Sequence, residues 1–136
     1  MRKGRLIGVG VGPGAPDLLT LRAVETIRQS RHVAYMAAEG EPSLARRIVE
    51  RHLTPAHEEM ALEAPMRSEP EIIGGFYDAT AARIAALLDN GEDVALLCLG
   101  DPLLYGTFIY VLDRLRARHD WQVVPGITSA GAAAAA

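Results

Sequence analysis

Apolar positions along this chain change period repeatedly, from continuous runs to helical spacing and back. Val94 to Leu99 is an unbroken apolar run, the pattern of a strand buried on both faces inside a parallel sheet. Arg5 to Val11 reads as a first strand, bracketed by Gly4 and the loop Gly10-Val11-Gly12-Pro13-Gly14. His32 to Met36 and Trp121 to Val124 add shorter strands, and another is expected near Glu59 to Leu62.

Between the strands the spacing becomes helical. Thr20 can cap a helix running to about Arg28, with Leu21, Val24 and Ile27 on one face. Glu41 or Ser43 starts a second, with Pro42 in its first turn and Leu44 and Ile48 facing inward. Residues 54–70, interrupted by three prolines, are the least periodic part, and a mobile loop is expected after the short strand. A third helix runs from Glu71 or Tyr77 to Leu88 and closes on Asn90-Gly91, with Gly74-Gly75 a candidate break. A fourth carries Leu104, Phe108, Val111, Leu112 and Leu115, and a fifth begins after Thr128-Ser129. Alternating strands and helices imply an α/β fold, a mostly parallel sheet with helices on both faces.

The 136 residues suit one domain, residues 1–136, with an aliphatic core. The closing run Ala132 to Ala136 has no cap, so the chain is expected to be the N-terminal domain of a longer protein whose second, C-terminal domain lies outside it. A net charge of −3 argues against nucleic acid as a partner, and the basic residues are nearly all arginine, with Lys3 the one lysine. Cys98 is the lone cysteine, and no apolar run approaches the ~18 residues of a spanning helix, so a cytoplasmic protein without membrane contact is expected. His32, His52, His57 and His119 are scattered without metal-ligand spacing and are read as surface residues, with no metal expected.

Three Gly/Pro loops each follow a predicted strand: Gly12-Pro13-Gly14, Gly100-Asp101-Pro102 and Pro125-Gly126-Ile127-Thr128. They should line one edge of the sheet, where ligands of α/β proteins bind. They offer backbone groups, one carboxylate and the hydroxyls of Thr128 and Ser129, but no phosphate-binding lysine and no nucleophile–base pair. That inventory suits a cofactor with its own reactivity. Gly10-Val11-Gly12-Pro13-Gly14-Ala15 also satisfies the dinucleotide pattern on paper, although Pro13 and Pro16 remove N–H groups that a pyrophosphate would use.

The same residues resemble a known family. Val9 to Gly14 followed by Leu18-Leu19-Thr20-Leu21-Arg22-Ala23, then Gly100-Asp101-Pro102, then Pro125 to Ser129, are similar in order and spacing to three motifs of the tetrapyrrole (corrin/porphyrin) methylases. Within it, Ser43-Leu44-Ala45-Arg46, Pro65-Met66 and Leu97-Cys98 through Phe108 resemble the precorrin-2 C(20)-methyltransferase branch, with Leu99 where an acidic residue is expected. The resemblance implies transfer of a methyl group from S-adenosyl-L-methionine to a meso carbon of precorrin-2 in cobalamin biosynthesis, leaving S-adenosyl-L-homocysteine. It also implies a cytoplasmic homodimer and a cofactor held between two domains, so that this half alone is expected to be inactive. Pro13, Gly100, Asp101, Leu104, Thr128 and Ser129 align with cofactor-contacting positions, and Asp101 is the best candidate for a general base. Arg67, with Arg46 or Arg83 behind it, and Tyr105 are the candidates for the carboxylate-rich tetrapyrrole substrate. The alternatives are another tetrapyrrole methylation, of sirohaem synthesis or a later precorrin, and a dinucleotide-binding fragment without methylase activity.

Overall fold

The computed structural model describes residues 2–104 and 106–136. Among them, the strands β1 (Arg5–Gly10), β2 (His32–Ala38), β3 (Glu58–Ala64), β4 (Val94–Cys98) and β5 (Asp120–Val124) pair in parallel in the order β3-β2-β4-β1-β5. Every residue of β4 is buried, as the apolar run predicts, but the run's last residue, Leu99, lies beyond the strand and is 45% exposed. The strand sits between β1, with Leu6 opposite Val94, and β2, with Ala34 opposite Leu96.

Side chains alternate across this sheet and supply two cores. Leu6, Leu62 and Leu96 pack with Ile84 and Leu88 of α3 (Pro70–Asp89) and with Phe108 and Val111 of α4 (Thr107–Leu115). Ile7, Val9, Val33 and Leu97 pack on the other face with Ile27 of α1 (Leu21–Gln29) and Ile48 of α2 (Leu44–Val49). The expected α/β sandwich is therefore present, with helices on both faces. A last helix, α5 (Ser129–Ala135), buries no residue. Hydroxyls cap three helix starts: Thr20 accepts from Ala23 N–H at 3.0 Å, Ser43 from Arg46 N–H at 3.2 Å and Thr128 from Gly131 N–H at 2.9 Å. Each such cap contributes about 1 kcal/mol.

Several sequence expectations need correction. Leu21 is 91% exposed; α1 buries Ile27 as expected, and Ala23 with it. Leu44 is likewise exposed, because α2 turns Ala45, Ile48 and Val49 inward. Gly74-Gly75 does not break α3: a Cβ at either position would meet nothing within 4 Å, so the glycines lie on an open side and burial further along holds the helix. β3 is longer than expected, since pairing with β2 extends from His32–Glu58 to Ala38–Ala64. Leu104 precedes α4 rather than joining it. Two histidines are interior: His32 meets Glu92 at 2.8 Å, and His119 meets Asp89 at 2.7 Å. His57 is bound to the Ile27 carbonyl oxygen at 2.8 Å.

Candidate active site

The three Gly/Pro loops converge at the carboxyl ends of β1, β4 and β5. Val11 N–H donates to Cys98 O at 2.9 Å, carrying the β1–β4 pairing one residue past the strand. Beyond it Gly12 and Gly100 form an antiparallel bridge, with Gly100 N–H donating to Gly12 O at 3.0 Å. Both residues have positive φ, +82° and +64°, which explains glycine at these two turns. The third loop closes on the same point: a Cβ on Gly10 would lie 2.6 Å from both Gly100 O and Gly126 N.

Asp101 joins the second loop to the third. Its Oδ1 accepts from Gly126 N–H at 3.0 Å and its Oδ2 from Leu103 N–H at 3.0 Å. Pro13, Asp101 and Thr128 are half-buried, Gly100 is buried, and Leu104 and Ser129 are exposed, so the six positions share one sheet edge with graded access to solvent. Thr128 uses its oxygen to cap α5, and its O–H remains a donor.

Beside these loops lies an apolar cleft of about 400 Å³, which the sequence did not announce. Met36, Leu44, Ala64, Leu97, Leu99 and Thr107 are among its lining residues. It opens between β2 and β4 for a topological reason. The chain leaves β2 towards α2 on one face and leaves β4 towards α4 on the other, which parts the loops and leaves a crevice. Finding it requires the strand order, which no local pattern contains.

Cys98 lines this cleft with its thiol pushed up to about 12, first by burial and then by the nearby Asp101 charge. It is a thiol, not a thiolate nucleophile, at neutral pH.

The arginine candidates occupy three places. Arg67 lies in the segment leaving β3 and pairs with Glu69 at 2.7 Å. Arg46 is committed to Glu59 at 2.5 Å and to Glu50 at 3.1 Å. Arg83 borders a separate cleft beside β3 and α3. Tyr105 lies outside the described residues. Among the described residues no helix is long and apolar enough to cross a membrane.

The family model of the Tetrapyrrole (Corrin/Porphyrin) Methylases matches residues 5–136, all three loops included. The chain belongs to that family. It is 42% identical to a precorrin-2 C(20)-methyltransferase from Sinorhizobium sp over 134 residues, covering 93% of this chain and 55% of that protein. It is 35% identical to a cobalt-precorrin-2 C(20)-methyltransferase from Salmonella typhimurium, with coverage of 97% and 56%. The crystal structure of a uroporphyrin-III-C-methyltransferase from Thermus thermophilus superposes with a TM-score of 0.65 at 30% identity, covering 97% of this chain and 52% of that one. This tetrapyrrole methylase chain thus spans about half the length of the curated relatives it matches.

Proposed function

We propose that this chain is the N-terminal domain of a methyltransferase of cobalamin biosynthesis that methylates a meso carbon of precorrin-2, with S-adenosyl-L-methionine as donor. The observation that carries the reading is the junction of three glycine loops at one sheet edge, next to an apolar cleft, in a chain 42% identical to a precorrin-2 C(20)-methyltransferase.

The residues present fit such a donor. The junction offers backbone groups, the Thr128 O–H and the Asp101 carboxylate, with no lysine, and its neighbour is an apolar wall. Pro13, Gly100, Asp101, Leu104, Thr128 and Ser129 would hold it. When bound, the donor supplies an activated methyl group, so this chain's residues need only align it and exclude water. Gly100 and Gly126 let backbone approach closely, Leu99 and Leu104 shield the site, and the cleft from Met36 to Thr107 would receive the apolar face of the tetrapyrrole. Arg67, and Tyr105 by its position in the motif, would meet the substrate's carboxylates. A second domain would close the other side of the site, and the working protein would be a cytoplasmic homodimer.

Two alternatives have less support. A siroheme synthase from Pseudomonas aeruginosa is also similar, at 35% identity, below the precorrin-2 relative. Dinucleotide binding is disfavoured by the first loop. Gly12 N–H is turned to Gly100 O at 3.4 Å, and α1 starts only at Leu21 with its first turn capped by Thr20. The short 3-10 turn Pro16–Leu18 that directly follows the glycines opens on a proline, which has no N–H to offer a pyrophosphate.

Calorimetric titration of S-adenosyl-L-homocysteine into this chain and into the full-length gene product tests the reading. Tight binding to the longer protein and weak binding to this chain is the expected result. No binding to either, with nicotinamide dinucleotide bound instead, would overturn it.

A further inference from the structure

We propose that Asp101 is a positioning residue: its carboxylate fixes the distance between the turn after β4 and the loop after β5, and so shapes the donor site without touching the transferred proton. The inference rests on the donor-binding reading above and assigns one of its residues a role.

Both carboxylate oxygens of Asp101 are engaged with backbone. Oδ2 accepts from Leu103 N–H and Asp101 O accepts from Leu104 N–H at 3.2 Å, so one residue folds the turn that carries Leu104. Oδ1 crosses 25 positions of sequence to accept from Gly126 N–H. Gly126 is the residue that seats the third loop against Gly10 and Gly100, two residues before Thr128. Charge-assisted bonds of this kind are stronger than neutral ones and fix geometry as well as energy. A base would need an oxygen that can advance on a substrate C–H. Here Oδ1 could swing towards a substrate only by leaving the part-buried Gly126 N–H without its acceptor, a costly step, while the Leu103 bond on the exposed side holds Oδ2 to the turn. Loss of the carboxylate should therefore loosen the junction and weaken the donor, leaving proton transfer as it was.

The experiment uses the full-length gene product as wild type, Asp101→Asn and Asp101→Ala. Asparagine keeps one acceptor oxygen and fits the turn; alanine keeps none. The expected result is a loss of S-adenosyl-L-homocysteine affinity of about tenfold in Asp101→Ala and less in Asp101→Asn. The donor KM should rise in step, with kcat at saturating donor and its pH profile little changed. Amide exchange at Gly126 should accelerate in the same order. Equal loss of kcat in both variants, with donor affinity unchanged, would make Asp101 a base and overturn the proposal. Unchanged Gly126 exchange in both variants would overturn it too. If the wild type binds no donor, the methyltransferase reading fails by itself. The clamp is then decided by exchange alone, supported by a faster Gly126 amide in Asp101→Ala and overturned by an unaltered one.

Discussion

Gly126 lies so close to Gly100 that a Cβ on Gly126 would stand 2.1 Å from the Gly100 carbonyl oxygen and 2.8 Å from Gly10 Cα. The obstruction is backbone on both sides, so no side-chain rotation can relieve it. Gly126→Ala must push the third loop away from the other two. The expected cost is about 1–3 kcal/mol of stability, measured by urea unfolding. Weaker S-adenosyl-L-homocysteine binding should accompany it. A variant as stable as wild type would mean that the loops do not pack as described.

A second glycine serves the core and not the site. The Phe108 ring, fully buried, fills the space over Gly8, where a Cβ would come within 2.6 Å of Cε1. Gly8→Ala should cost about 1–3 kcal/mol by overpacking. Phe108→Leu removes the obstructing ring edge, so the double variant should be less destabilised than the two single costs added together. A coupling energy of about 0.5–3 kcal/mol is expected from the unfolding cycle. Strict additivity would place the ring elsewhere.

The acid limb of stability should depend on Glu59. Arg46 Nε donates to Glu59 Oε1 at 2.5 Å, and the Tyr35 hydroxyl donates to the same oxygen at 2.7 Å. The Arg46 hydrogen bond above all holds the Glu59 carboxyl below its ordinary 4.5; burial opposes it and the Tyr35 bond assists it. Folding thus favours the ionised form. The contribution is fully present above the ordinary value and is lost as pH falls from there through the folded value. Both side chains are about a third exposed, so screening limits the effect to about 1 kcal/mol. Glu59→Gln should lower stability at pH 7 and flatten its decline below pH 4.5, as followed by thermal unfolding across pH. A steeper acid limb in the variant would contradict the assignment.

How much of this was legible in advance depended on the range of each signal. The buried run from Val94, though not its end at Cys98, the Thr20 cap, Ser43 as one of two candidate caps, and the meeting of three Gly/Pro loops could all be read locally. Those signals act within a few residues, or follow from parallel strands sharing one edge. Leu21 and Leu44 were misplaced because helical spacing gives a stripe but not the side on which a short first turn meets the sheet. Ala23 and Ala45, small enough to sit against the strands, took the inner positions. The cleft between β2 and β4 was invisible because it exists only once β4 inserts between β1 and β2. Arg46 shows the same limit: its partner Glu59 is thirteen residues away and arrives through the pairing of β3 with β2.

Cys98 provides a reporter at the border between core and site. Burial first, and the Asp101 charge second, push its thiol up to about 12. The native protein should therefore resist a thiol reagent such as 5,5′-dithiobis(2-nitrobenzoate) at pH 8, and react fully in denaturant. Folding disfavours the thiolate, so stability is undiminished below the ordinary thiol value of 9.0 and declines as pH climbs from there towards 12. Cys98→Ser puts a hydroxyl in place of the thiol and should flatten that alkaline decline in thermal unfolding. Neutralising the neighbouring charge with Asp101→Asn should lower the pH at which the native thiol begins to react. Because burial is the larger cause, the shift should be modest, and the thiol should stay slower than that of the unfolded chain. Rapid labelling of the native wild type at pH 8 would show that β4 is open to solvent at its carboxyl end and would remove Cys98 from the core.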